Sequence, residues 1–296
     1  MSVIWASLGF GVITASILAI AAVGFTLQFG ATNIFNLAYG DTMTAAAFVA
    51  YFVTEAHLGL WVGLLAGGVF GAIFSALLNR LIYAPFIRRG TRLFGMIIVS
   101  IAVSLILSNG MQAIFGANFY SLNIAAGKPY KLGPFIFTTV QIAIIGIAIA
   151  AMLGVHLLLR HTRLGRAMRA TANDAALART CGIRTDLVID VVWLVSGFLC
   201  GVGGVALVAN VTSFDYGTGG QFIILILTAA VLGGVGQPYG AMLGALVIGV
   251  ASEVSAAIFS PEYKELVAFV ILVIVLLIRP QGIFSEIAAQ KEVVAA

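Results

Sequence analysis

Polar side chains able to hold a small polar solute crowd into one stretch: Asn33, Asn36, Tyr39, Asp41 and Thr42 lie close together, with apolar sequence on both sides. Two amides, a phenol, a carboxylate and a hydroxyl can exchange hydrogen bonds with a solute, but they form no proton-transfer pair with a nucleophile. His57, His156 and His161 show no metal-ligand spacing with carboxylates, and no Ser, Cys or His grouping makes a nucleophile. No catalytic residue and no metal site is assigned. A second polar stretch, RAMRATANDAALARTCGIRTD from Arg166 to Asp186, carries arginines and helix-capping residues instead of reactive groups. Its character is that of a surface to be touched.

The elements that position these stretches follow from composition. Of 296 residues, 61% are hydrophobic and 9% charged, against roughly 25% charged in a soluble domain. Apolar runs of about twenty residues recur, each long enough to cross a hydrocarbon core roughly 30 Å thick. The sequence predicts an all-α, polytopic transmembrane helical bundle of about eight or nine spans, a single transmembrane domain over 1–296 with a cytoplasmic loop at 160–186. The first run, Val3 to Phe29, lacks the basic flank and short core of a signal peptide and is kept as structure. Cys181 and Cys200 would stand about 28 Å apart on a mostly helical stretch, too far for a disulfide. The net charge of +4 sits in loops, so it reports orientation, and no nucleic-acid partner is read from it.

Spans are expected near 4–29, 34–54, 58–84, 94–116, 135–159, 187–210, 220–236, 238–259 and 264–278. Arg88, Arg89 and Arg92 follow the third. Arg160, Arg163, Arg166, Arg169, Arg179 and Arg184 follow the fifth. Both clusters belong on the cytoplasmic side, which places loop 117–134 outside and Arg279 with the C-terminal tail inside. The N-terminus then lies outside if 34–54 crosses.

Polar groups at membrane depth are costly unless satisfied within the protein or facing a cavity. For 33–42 a broken helix is the simplest solution, with Gly40 permitting the break and Asp41 capping the helix that follows. The bland alternative is a cap and a turn near the interface. The functional one is a half-helix start lining a substrate pathway through Asn33, Asn36, Tyr39, Asp41 and Thr42. A faint internal echo accompanies it: Tyr39-Gly40 precedes glycines 63, 67 and 71, and Tyr216-Gly217 precedes glycines 236, 240 and 244. Gly63, Gly67, Gly71, Gly236, Gly240 and Gly244 are expected to let helices approach closely.

In the arginine-rich loop, Thr171-x-x-Asp174 has the form of a capping box, AALART is good helix former, and Gly182 sits where a left-handed cap belongs. A short cytoplasmic helix is expected, offering Asp174, Ala175, Ala176, Leu177, Gly182 and Ile183. Lying on lipid headgroups would need the arginines alone; a capped helix suits docking into a partner's groove.

RATANDAALARTCGI resembles the coupling-helix motif of ABC importer permeases, with Asp174-Ala175-Ala176 in the acidic-Ala-Ala place and Gly182 somewhat later than usual. NLAYGDTMTAAAFVAY and TAAVLGGVGQPYGAMLGALVIGVASE resemble the two other signatures of the branched-chain amino acid ABC transporter permease, smaller H type. The likeness covers nearly the whole chain, with Tyr39-Gly40-Asp41 and Gln237-Pro238 departing from common forms. It implies a subunit of an ATP-driven importer in a bacterial inner membrane. The substrate would be a branched-chain or other hydrophobic amino acid, or alternatively urea, a short amide or an aromatic acid. It also implies a second related permease chain, two cytoplasmic ATPase subunits that hold ATP and Mg, an extracytoplasmic substrate-binding protein, and membrane lipid around the bundle. The sequence has no phosphate-cradling loop of its own, since GKPY at Gly127 lacks the required glycine and hydroxyl, so no cofactor and no ATPase activity are expected in this chain. An ion-coupled carrier would need ionisable residues in mid-membrane; Glu253 and Asp190 read instead as paired or rim-solvated.

Overall fold

The structure, a computed structural model, describes residues 2–122, 129–132, 135–211, 213–260, 263–278 and 282. Parts of loop 117–134, Arg279 and nearly all of the C-terminal tail lie outside the described residues. Twelve α-helices run in order among the described residues: α1 (Ser2–Thr32), α2 (Tyr39–Glu55), α3 (Leu60–Leu78), α4 (Ala84–Arg88), α5 (Leu93–Phe115), α6 (Thr139–His161), α7 (Arg163–Asn173), α8 (Ala175–Thr180), α9 (Thr185–Asn210), α10 (Thr218–Gly233), α11 (Pro238–Ile258) and α12 (Lys264–Ile278). A π-helical turn, Asn79–Tyr83, joins α3 to α4.

Each of the nine apolar runs is a helix. Six stretches are long and apolar enough to cross a bilayer: Ser7–Thr32, Leu60–Arg88, Leu93–Phe115, Thr139–His161, Thr185–Asn210 and Pro238–Ile258. The other three, α2, α10 and α12, have 17, 16 and 15 residues. α1 and α9 are apolar all round and mostly buried, so they form the centre. α3, α5 and α6 leave apolar side chains such as Leu65, Ile106 and Leu153 exposed, as a surface meant for lipid does.

Two expectations outside the 33–42 stretch need correction. The fifth run does not become helical at 135: Phe135–Thr138 is a strand paired antiparallel with Pro129–Leu132, in register Pro129↔Thr138. The helix waits for a capping box, in which Thr138 accepts from the Gln141 amide and the Gln141 side chain accepts from the Thr138 amide. The arginine-rich loop, likewise, holds two helices where one was expected. Thr162 caps α7 by accepting from the Gly165 amide at 3.0 Å, and Thr171 lies buried inside α7, donating to the Ala167 carbonyl. Thr171 therefore takes no part in a capping box, and Asp174 caps α8 alone.

Candidate functional site

The break before α2 begins at Asn33, not at Gly40. Asn33 has φ of 54°, a left-handed conformation that asparagine tolerates, and its amide donates to the Phe29 carbonyl at 2.7 Å, closing α1. Residues 34–38 then return among buried side chains before α2 starts. Its N-cap is Ala38, without a side-chain cap, so Asp41 stands in the first helical turn and does not cap it.

Helix geometry gives the depth of that start. The Tyr39 hydroxyl donates to the Ser196 carbonyl at 3.3 Å, and the Cys200 thiol donates to the Tyr39 carbonyl at 3.3 Å. At 1.5 Å per residue, Ser196 and Cys200 lie about 16 and 22 Å along a helix about 39 Å long. α2 therefore begins halfway through the bundle. α10 begins at the same level, because the Gly219 amide donates to the Thr44 hydroxyl at 2.9 Å. From this crossing α2 runs toward the end that carries Tyr120 and Phe214, and α10 runs toward the end that carries α7, where Gly236 lies beside Gly30 of α1. Two helix N-termini thus meet inside the bundle.

Glycine is what lets them meet. A Cβ on Gly40 would collide with the Gly219 carbonyl oxygen and stand 2.8 Å from its carbon, and a Cβ on Gly219 would strike the Gly40 carbonyl in return. Each N-terminus carries partial positive charge, and in a low-dielectric interior two of them together call for an anion. Asp41 stands there. It is 2% exposed, its Oδ2 accepts from the Ser104 hydroxyl at 2.5 Å, and its Oδ1 would lie 3.7 Å from a Cβ on Gly220 in the first turn of α10.

The remaining polar groups of the stretch are also partnered. Asn36 Oδ1 accepts from the Tyr83 hydroxyl at 2.8 Å, the Leu37 amide donates to Ser100 Oγ at 2.5 Å, and Thr42 donates to the Ala38 carbonyl at 2.9 Å. Asn36, Tyr39, Asp41 and Thr42 are brought together in the buried interior; Asn33 lies apart from them, exposed at the end of α1. Sequence reading missed Tyr83, Thr44 and the α5 serines. Ser100 and Ser104 carried a usable signal, since hydroxyls four residues apart in an apolar helix share one face.

From the π-helical turn, hydrogen bonds continue toward the arginine-rich loop. Asp190 of α9 accepts from Asn79 Nδ2 at 3.1 Å and from Arg80 Nη2 at 2.8 Å. Tyr83, at the other end of the turn, packs on buried Trp193 with ring centroids 5.0 Å apart.

The loop itself is a built surface. Asp174 accepts from the amides of Ala176 and Leu177 at 2.8 and 3.0 Å. At the other end the Ile183 amide reaches the Ala178 carbonyl and the Gly182 amide reaches the Arg179 carbonyl, both at 3.0 Å, with Gly182 at φ of 83°. This is a Schellman stop that glycine's freedom at positive φ makes possible. Arg179 ties α8 to the start of α9 through Thr185 and Asp186. Asp174, Ala175, Ala176 and Gly182 are exposed, Leu177 is 62% exposed, and Ile183 is half-buried. Of the six glycines, Gly63 faces α2, Gly67 lies between α2 and Val205 of α9, Gly71 faces Gly197 and Gly201 of α9, Gly240 and Gly244 face α10, and Gly236 adopts φ of 88°.

Comparison with known proteins gives this geometry a family. The model of the family described as "Branched-chain amino acid transport system / permease component" matches residues 7–276. The high-affinity branched-chain amino acid transport system permease protein LivH of Escherichia coli (strain K12) is 32% identical, covering 95% of each chain. BraD of Pseudomonas aeruginosa, of the same description, is 31% identical over 95% of each. The probable branched-chain amino acid transport permease protein LivH of Methanocaldococcus jannaschii is 28% identical over 92% of this chain and 90% of its own. A solved chain of PsaBC from Streptococcus pneumoniae in complex with Fab superposes with a TM-score of 0.54 at 14% identity, covering 94% of both chains, which shows the fold alone. The chain is a multi-pass membrane protein and belongs to the family of branched-chain amino acid transport system permease components.

Proposed function

We propose that this chain is a non-catalytic membrane subunit of an ATP-driven importer of branched-chain or other hydrophobic amino acids. It works beside a second related permease chain, two cytoplasmic ATPase subunits holding ATP and Mg, and an extracytoplasmic binding protein. The 296 residues act as one membrane domain, with loop 160–186 on the cytoplasmic side. The N-terminus is outside and the C-terminus inside. The observation that carries the reading is α8, in a chain of this family: a six-residue helix, closed at both ends, that leaves Leu177 exposed. Closure of the ATPase pair on nucleotide would move α8. The Arg179 contacts on Thr185 and Asp186 would carry that movement into α9, which packs against both the π-helical turn and the start of α2. Each side then biases one two-state element, as coupling between distant sites requires. Asn36, Tyr39, Asp41 and Thr42 border the pathway at mid-depth in this reading, with Asn33 at its inner end.

Replacing Ala176 with Arg or Leu177 with Asp tests it. Both positions are exposed, so the fold should lose little, whereas a buried contact with a partner tolerates no unpaired charge. Co-purifying ATPase and substrate-stimulated hydrolysis in proteoliposomes should both fall. A loop that only rests on lipid headgroups would hold as well or better with an added arginine, so normal recovery and stimulation in Ala176→Arg would sink the reading.

A further inference from the structure

In the half of the bundle opposite the arginine-rich loop, α1, α9, α10, α11 and α12 converge on a cavity of about 590 Å³ that reaches down to the first turns of α10. That size lies within the roughly 300–1,000 Å³ of small-molecule sites. Charges of both signs stand in it. Glu253 of α11, its side chain 15% exposed, accepts through Oε1 from both the Thr14 hydroxyl at 2.8 Å and the Lys264 ammonium at 2.7 Å. Its Oε2 has no hydrogen bond among the described residues, and neither has the carboxylate of Glu265, which also lines the cavity. Across from these charges the wall is apolar, built by Ile17, Leu207, Phe222 and Leu225.

Apolar side chains could hold α11 to α12 as well as this pair does, because desolvating two charges offsets much of their attraction. The observed pair is also half used. One carboxylate oxygen and two ammonium hydrogens remain for a further partner, beside a second carboxylate. The complement of such a set carries a cation and an anion on neighbouring atoms and an aliphatic branch.

We propose that this cavity receives a zwitterionic aliphatic α-amino acid. The ligand's ammonium binds the Glu253 and Glu265 carboxylates, its carboxylate binds the Lys264 ammonium, and its side chain lies against Ile17, Leu207, Phe222 and Leu225. The inference rests on the substrate class proposed above and adds a site distinct from the crossing at Asp41, in the half of the bundle that an imported solute would enter first.

The test measures ligand binding to the purified complex of this chain with its permease and ATPase partners, without the binding protein. Three ligands are compared by saturation-transfer NMR: leucine, leucinamide, which lacks the carboxylate, and 4-methylpentanoate, which lacks the ammonium. In the parent complex leucine should bind at least about tenfold more tightly than either analogue, the usual scale for one lost charged hydrogen bond. Lys264→Gln should weaken leucine and leave leucinamide unchanged; Glu253→Gln should weaken leucine and leave 4-methylpentanoate unchanged. Gln221→Trp, at an exposed lining position clear of the ion pair, should exclude leucine while the complex elutes normally. Equal loss of all three ligands in both charge variants of a folded complex would make the pair structural and overturn the proposal. So would leucine binding indifferent to all three substitutions. The substrate reading fails separately, if the parent complex with its binding protein imports no branched-chain amino acid.

Discussion

Gly40→Ala is the most direct probe of the crossing between α2 and α10. The added methyl would stand 2.8 Å from the Gly219 carbonyl carbon and closer still to its oxygen, both rigid backbone atoms. Restoring a contact of about 3.5 Å at that carbon requires the helices to part by at least about 0.7 Å, and the nearer oxygen asks for more. The parting must break or lengthen the 2.9 Å bond from the Gly219 amide to Thr44 and loosen Asp41 from the first turn of α10. Overpacking of this kind costs about 1–3 kcal/mol, and a lost buried hydrogen bond adds about 1 kcal/mol. Alanine's better helix propensity returns about 1 kcal/mol. The net loss is about 1–3 kcal/mol. Gly110→Ala serves as the control, since a Cβ there meets nothing within 4 Å while the propensity gain is the same. Monodisperse protein surviving a heat challenge in detergent should fall for Gly40→Ala and hold or rise for Gly110→Ala. Gly219→Ala added to Gly40→Ala should cost less than the sum of the two, because one parting of the helices makes room for both methyls. A Gly40→Ala protein as heat-stable as the control would refute the crossing.

Asn36→Leu and Asp41→Leu should each lower uptake more than they lower the amount of folded protein; unchanged uptake per folded molecule in both would return the break to a purely structural role. Asp41→Asn should be milder than Asp41→Leu in stability, since it keeps an acceptor for the 2.5 Å bond from Ser104 while removing the charge between two helix N-termini, and thermal unfolding of the two side by side checks the order. A cysteine introduced in loop 117–134 should react with an impermeant thiol reagent on intact cells, in a background with Cys181 and Cys200 replaced, and one in the C-terminal tail should not; labelled tails would invert the topology.

Apolar run length placed nine helices within a few residues of where they lie, because the need to satisfy every backbone group inside a bilayer leaves helix as almost the only choice. Capping chemistry was legible at α8 but not at α2, where Asp41 stands inside the first turn and does not cap it. Asp174 and Gly182 bracket α8 as their types demand, and the Thr138–Gln141 pair is a local box that places the start of α6 at 139. Thr171 misled because a capping-box pattern says nothing about whether its threonine is already inside a helix. α7 is such a helix: Gly165 and Met168 are buried against the bundle, and the Arg169 guanidinium donates to the Leu159 carbonyl. The polar cluster at 33–42 was legible as a break, but its depth was not. Depth is fixed by Ser196 and Cys200, about 160 positions away, and by the mutual approach of Gly40 and Gly219; none of these contacts leaves a local pattern. The recess at Glu253 was hidden for the same reason. Taken singly, Glu253 reads as a paired or rim-solvated carboxylate, while Thr14 lies inside the first apolar run and Lys264 at the start of the last. Only the packing of α11 against α1 and α12 converts these three scattered positions into one partly satisfied charged site. A membrane bundle's sequence thus announces where its polar groups are, while their pairing, and with it any site they form, is written in the helix contacts.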